Sequence, residues 1–305
     1  MTVSSNPATS SRPVAGILWM LVAGILFIAV NAGVKYVGPS IPAPQAAFLR
    51  YSLGLVLLIP MIGPVIRAHV TPRQWKLIAT RGVLHSLGVA TWFYAMAVIP
   101  IADVTAINFL SPIFVTIGAA LFMGEKLAAR RIIAVIVGLI GAMVILRPGV
   151  REVSAGHLAM MGTALVFAAS YMIAKTLSDE LPPMVVVTML SVSVAIGLAP
   201  AAAYVWVTPS FETVVVLFGV AVVATVGHYA MTLALRAAPI TVTQPVTFLQ
   251  LVWAVSLGYF AFGESVDFYV VLGGVMIISA ISFITWREEV VRRKAVTPPA
   301  NATKV

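Results

Sequence analysis

The chain has 305 residues, of which 61% are hydrophobic and only 10% charged, and its mean hydropathy is +1.04. A soluble domain carries about a quarter charged residues, so that class is excluded. The absence of cysteine excludes disulfides, thiol catalysis and Cys-ligated metal. In chain order the apolar residues fall into ten blocks, near 14–37, 42–62, 77–99, 102–122, 132–146, 157–177, 184–206, 213–235, 241–262 and 266–286. Each approaches the roughly 20 residues that a helix needs to cross a bilayer. The fifth is short, and Arg130 and Arg131 lengthen it by snorkelling to the interface. The first is too long for a signal h-region and has no small-residue cleavage site after it, so it is expected to stay as a membrane helix. Polar segments at 1–13 and 287–305 are expected to be disordered cytoplasmic tails.

A formal net charge of +9 also fits a nucleic-acid binder, but its distribution does not. With a cytoplasmic N-terminus and ten crossings, 15 of the 19 Lys and Arg residues fall on the inner side, Arg81 counted among them. Only Lys35, Arg50, Arg147 and Arg151 remain for the outer side or the membrane. This is the positive-inside pattern of a multi-pass inner-membrane protein with both termini cytoplasmic, not a basic patch for DNA or RNA.

The second half repeats the first. At an offset of 139, Gly88 falls on Gly227, Pro100-Ile101 on Pro239-Ile240, Phe109-Leu110 on Phe248-Leu249 and Gly124-Glu125 on Gly263-Glu264. At 140, Phe27 falls on Phe167 and Lys35 on Lys175. The fold expected is therefore all-α: ten transmembrane helices as two five-helix repeats, 14–148 and 149–286. Five is odd, so the second repeat enters the membrane from the opposite side. Inverted repeats with a site at mid-depth between them are typical of secondary transporters. The inversion also explains why MGEKLAARR (123–131) carries cations and FGESVDFYV (262–270) none: the Gly-Glu pair ends a helix in both, on opposite sides.

Two fives of helices, FLRY opening the second helix (Phe48 to Tyr51), the run AMAVIPIADVTAINFLSPIFV across helices three and four, and the closing GE resemble the EamA branch of the drug/metabolite transporter superfamily over residues 14–286. The resemblance implies a bacterial inner-membrane carrier of a small organic metabolite, with a cavity walled by helices 1–4 and 6–9. Helices three and four look most like the part of that branch which includes riboflavin and S-adenosylmethionine carriers. Riboflavin uptake is the leading expectation, and export of amino acids or other metabolites the alternative.

Periodicity selects residues for such a cavity. Val104, Asn108 and Ser111 share one face of helix four, and Thr243, Thr247 and Gln250 occupy the same register of helix nine. Pro112 and Pro245 free the carbonyls of Asn108 and Thr241. These polar residues also fit as hydrogen-bonding groups between packed helices. His85, Val89 and Trp92 share a face of helix three; His228 aligns with Val89, and Tyr229 and Trp253 add rings nearby. Asn31 and Tyr171 precede the pseudo-equivalent Lys35 and Lys175, for which interfacial snorkelling is expected. Arg50 lies within helix two, at a basic position that the resemblance makes typical. Its role is expected to be structural or at the cavity mouth.

No cofactor or metal site is expected: two His residues alone make none, and no phosphate loop, dinucleotide fingerprint or hydrolase motif is present. Enzyme activity is not expected. The partners read from the chain are a small-molecule substrate and the lipid bilayer; the oligomeric state is not legible.

Overall fold

The computed structural model describes residues 13–123, 129–150, 152–237, 243 and 246–296. Helices account for nearly all of them: α1 Pro13–Val37, α2 Ala43–Leu55, α3 Ile62–Arg67, α4 Pro72–Val98, α5 Ile101–Asn108, α6 Leu110–Met123, α7 Ala129–Leu146, α8 Ala155–Glu180, α9 Pro183–Tyr204, α10 Phe211–Ala237, α11 Leu249–Phe262 and α12 Phe268–Val296. A 3-10 segment, Val56–Met61, joins α2 to α3, with Pro60 inside it. The apolar blocks overlap these helices, and residues 241–242 and 244–245 of the ninth lie outside the described residues. Seven helical segments are long and apolar enough to cross a membrane, and Ile132–Leu146 and Leu249–Phe262 are shorter apolar helices. Residues 287–296, expected as part of a disordered tail, instead continue α12 to Val296. Apolar burial along a helix that begins at Phe268 carries its backbone hydrogen bonding past the last apolar turn.

Helix ends follow from local chemistry. Thr71 caps α4: its hydroxyl accepts from the Gln74 N–H at 3.3 Å, and the Gln74 side chain accepts from the Thr71 N–H at 2.8 Å. Prolines open α2 and α9, where a missing N–H costs nothing. Gly263 ends α11 with φ +65, a conformation that glycine adopts without a Cβ clash.

The packing maps onto itself under the offset of about 140. α1 packs on α10 and α4 on α8, which are equivalent interfaces; α2 packs on α9 and α7 on α12, each against its own counterpart, and α5 packs on α11, the counterpart of α6. At α7–α12 the backbones come together at glycines: a Cβ on Gly141 would stand 2.8 Å from the Gly273 carbonyl oxygen.

Side-chain ties at one end of the bundle give the directions of the helices. Tyr36, near the C-terminus of α1, donates to Glu212 at the start of α10 at 2.6 Å. Gln45 at the start of α2 donates to the carbonyl of Val207, just past α9, and accepts its N–H at 2.9 Å. Arg147, after α7, pairs with Asp267, before α12, and lies over the Tyr269 ring at 4.4 Å. His157, in the first turn of α8, meets Asp103, in the first turn of α5, at 2.9 Å. This end therefore holds the C-termini of α1 and α4 and the N-termini of their counterparts α8 and α10. The two repeats run antiparallel.

Candidate functional site

The fourth apolar block is two helices rather than one. Pro112 has no N–H to give the Asn108 carbonyl, and the chain leaves the helix at Phe109 (φ −65, ψ −6) before restarting at Leu110. In the second half Phe248 (φ −70, ψ −19) precedes α11 in the same way. The expected effect of Pro245 on Thr241 lies outside the described residues. Phe109 and Phe248, superimposed by the offset of 139, meet edge to face with centroids 5.7 Å apart. The two interruptions thus face each other where the halves meet.

One face of the α5–α6 segment carries polar atoms without partners among the described residues. Thr105 Oγ1, Asn108 Oδ1 and Ser111 Oγ, three residues apart on α5 and α6, are buried without a hydrogen-bond partner among the described residues. Buried polar atoms in native structures nearly always have partners, so this stripe has acceptor and donor capacity in reserve. Thr105, not Val104, supplies its third member; Val104 is packed into the apolar core. Opposite them Thr243 is buried and Thr247 and Gln250 half-buried.

A second group gathers on α2, α4, α8 and α10. The His85 ring stacks on Phe167 (4.8 Å, 26°), and its Nδ1 lies 3.1 Å from Ser170 Oγ. His228 stands edge-on to Phe27 at 5.0 Å, and its Nδ1 donates to the Ala224 carbonyl at 2.7 Å, which leaves Nε2 as the acceptor. Phe27 and Phe167 are counterparts in the repeat, so each half contributes one ring and receives one imidazole from the other. Arg81, Arg50 and His228 are all within electrostatic reach of His85, and Tyr171 and Tyr51 of Arg81. Arg50 lies 4.2 Å over the ring of Tyr51. Arg81, counted in the sequence among cytoplasmic-side charges, is instead 8% exposed within α4, its Nε without a hydrogen bond. Spacing explains it: Arg81 is one turn before His85, on the inward face of the helix.

The remaining expected residues sit around these two groups. Trp253 is half-buried and packs on α1 where Gly24 leaves room: a Cβ there would stand 2.5 Å from the indole. Trp92 is half-buried with its ring edge-on to Phe93 at 5.3 Å, and Asn31 is half-buried on α1. Tyr171 packs against Phe167 at 6.1 Å with half its surface exposed, and Tyr229, more exposed still, stands at the margin.

The Gly-Glu pair does more than end a helix. Glu264 folds back over Gly258, where any Cβ would collide with its carboxylate. From there its Oε2 accepts the Ile101 N–H at 2.9 Å, and Oε1 lies 2.9 Å from Lys35 Nζ. An anion at the first N–H groups of α5 is favoured by the helix dipole. Lys35 also donates to the Ile99 carbonyl at 2.7 Å. One cluster thereby joins α1, the α4–α5 junction and α11. Lys35, expected to reach for the interface, is instead turned to a carboxylate and a carbonyl, its side chain 16% exposed. Its counterparts Gly124-Glu125, and the side chain of Lys175, lie outside the described residues.

Beside it, the Ser154 N–H donates to His157 Nδ1 at 3.2 Å, so Nε2 carries the proton given to Asp103. At the opposite end Arg73 and Gln74 both donate to Glu180, at 2.6 and 3.0 Å, and hold its carboxyl below the usual range. Among the described residues no three metal-ligating side chains come together.

The profile of the EamA-like transporter family matches this chain twice, over residues 14–147 and 154–286. The chain is 33% identical over 294 residues to a riboflavin transporter of Rhizobium johnstonii, covering 94% of this chain and 96% of that one. A riboflavin transporter of Vibrio cholerae is 30% identical over 290 residues, with 93% and 97% covered. An S-adenosylmethionine uptake transporter of Rickettsia bellii is 27% identical over 277 residues, with 90% and 94% covered.

Proposed function

The chain belongs to the EamA-like transporter family, and from that premise we propose that it carries riboflavin, or a close ring-bearing metabolite, into the bacterial cell by alternating access. It does so through ten transmembrane helices in two inverted repeats, 14–148 and 149–286, lying in the inner membrane with both termini cytoplasmic. The observation that carries the reading is whole-length similarity to two riboflavin transporters at 33% and 30% identity. Geometry supports it. Rings of Phe27, Phe167, Trp92 and Trp253 offer stacking surface, and Asn108, Ser111, Thr247 and Gln250 offer hydrogen bonds for the polar edge of a planar solute. Asn31, Tyr171 and Tyr229 complete the proposed lining, with the imidazoles of His85 and His228 at mid-depth.

In this orientation the Lys35–Glu264–Ile101 cluster faces outward and closes that side, and cargo enters after it parts. The chain carries no nucleotide-binding loop, so the gradient of cargo or of a coupled ion sets direction. The test is growth of a riboflavin auxotroph lacking its own uptake system, in trace vitamin, with this protein expressed. Growth together with entry of labelled riboflavin is expected. Confirmed membrane expression with neither would overturn riboflavin uptake and leave a carrier of another metabolite.

A further inference from the structure

We propose that Arg81 is the centre of an anion-binding subsite inside the bundle, with Arg50 as a second cation acting on it from α2. It takes a carboxylate or phosphate, either carried on the cargo or bound as a free anion beside a neutral cargo. This rests on the transporter reading and goes beyond it, because it sets the charge of what must occupy the cavity.

The argument begins with depth. Arg81 lies nine residues into α4 and Arg50 seven into α2, about 13 and 10 Å at 1.5 Å per residue from helix starts that lie at opposite ends of the bundle. Arg81 is 8% exposed, so its guanidinium has not escaped to an interface. A guanidinium stays charged at any relevant pH, and at this depth it requires a counter-charge. None is built in. The ion pairs among the described residues are Lys35–Glu264, Arg73–Glu180, Arg147–Asp267 and the His157–Asp103 contact, and none includes Arg50 or Arg81. Nor does the rest of the sequence offer one: all ten Asp and Glu residues lie in the first turn of an apolar segment or beyond its ends.

What surrounds the two cations is neutral and able to donate or stack. Tyr51 and Tyr171 are within electrostatic reach of Arg81, and His85 within that of both arginines. The ring of Tyr51 meets Arg50 face-on, which offsets only part of the desolvation of one charge. Arg81 Nε is buried and unbonded. Two like charges, a planar fork with a donor in reserve and phenol hydroxyls nearby suit the planar or tetrahedral oxygens of a carboxylate or phosphate.

The experiment uses the purified full chain in lipid nanodiscs, read by intrinsic tryptophan fluorescence and by thermal midpoint. The probes are riboflavin and riboflavin 5′-phosphate, adenosine and adenosine 5′-monophosphate, and inorganic phosphate alone. If the anion rides on the cargo, the phosphorylated member of at least one pair binds tenfold or more tighter than the neutral one. If it is free, inorganic phosphate raises the thermal midpoint and tightens the neutral compound by a similar factor. Arg81→Gln and Arg50→Gln each abolish whichever effect is seen, and Arg81→Lys keeps part of it. Phosphorylated and neutral members binding alike, with no response to inorganic phosphate, would overturn the subsite. So would a preference that survives both glutamine variants. Inert flavins with a preference for the nucleotide would sink the riboflavin reading and keep the subsite; riboflavin bound with no anion effect would do the reverse.

Discussion

Glu264→Gln separates the charge of the latch from its shape. The amide keeps an oxygen for the Ile101 N–H and loses the pairing with Lys35. That pairing is largely out of water, with side chains 16% and 13% exposed, so exposed-pair discounting does not apply. The worth of such an ion pair lies between the up to about 1 kcal/mol of an exposed pair and the roughly 3–5 kcal/mol lost when one partner of a buried pair is removed, and 1.4 kcal/mol is tenfold in an equilibrium. The tied end should therefore open roughly ten- to hundredfold more often. The chain has no cysteine, so a single one at Thr105, buried on α5 one turn beyond Ile101, reports opening through its rate of reaction with an impermeant maleimide in intact cells. That rate should rise at least roughly tenfold in Glu264→Gln, and similarly in Lys35→Met, which removes the same charge pair from the other side. An unchanged rate in both variants, with normal amounts of protein in the membrane, would refute the latch.

Gly258→Ala should mimic Glu264→Gln in that assay, because the new methyl displaces the carboxylate; a silent Gly258→Ala would show that Glu264 does not need the space. Cysteines at Lys126 and Ser265 report orientation: the impermeant reagent should label 265 and spare 126, and the reverse pattern would invert the topology. Asn108→Leu and Gln250→Leu should each cut transport about tenfold, the loss of one buried hydrogen bond, with abundance in the membrane little changed. Loss of folded protein in both would assign these residues to helix packing. Because the Glu180 carboxyl titrates below its ordinary value, its tie to Arg73 stabilises fully above the unfolded-state value and fades as pH falls through the folded one. Unfolding midpoints of the parent and Glu180→Gln should then converge on acidification below about pH 4.5, and parallel curves would contradict this.

The helices and their repeat were legible because both are periodic signals spread over many residues. Most apolar blocks match helices to within a few positions, while α12 runs on to Val296, past its block's end at 286, and the register of the repeat alone groups Asn108, Ser111, Thr247 and Gln250. What could not be read was which long side chains meet across helices. Lys35 at a helix end looks the same whether it reaches for lipid headgroups or for a carboxylate 229 positions away. Arg81 counts with Arg73 and Lys76 as an inner-side cation although the block 77–99 already contains it, and Thr71 and Pro72 begin the helix before all three. The imidazoles were the harder case. His85 and His228 are one turn out of equivalence in the sequence, and they become equivalent through the Phe residues on which they pack.

Pairing at the tied end also bears on the distribution of charge. Of the four cations outside the inner-side count, Lys35 and Arg147 are each neutralised by an acid of the single segment FGESVDFYV, Glu264 and Asp267. Arg50 lies in α2 under Tyr51 rather than at an end, and Arg151 lies outside the described residues. The folded protein therefore presents less unpaired positive charge at that end than the bare count of cations suggests. This also gives a reason for the difference between the two Gly-Glu segments. In the second, the acids are consumed by pairing at helix ends, where added cations would compete with Lys35 and Arg147 for the same two carboxylates. In the first, the three cations Lys126, Arg130 and Arg131 supply the orienting charge that the proposed topology requires. The same helix-ending pair is thus surrounded by charge suited to the side of the membrane on which the proposed topology places it.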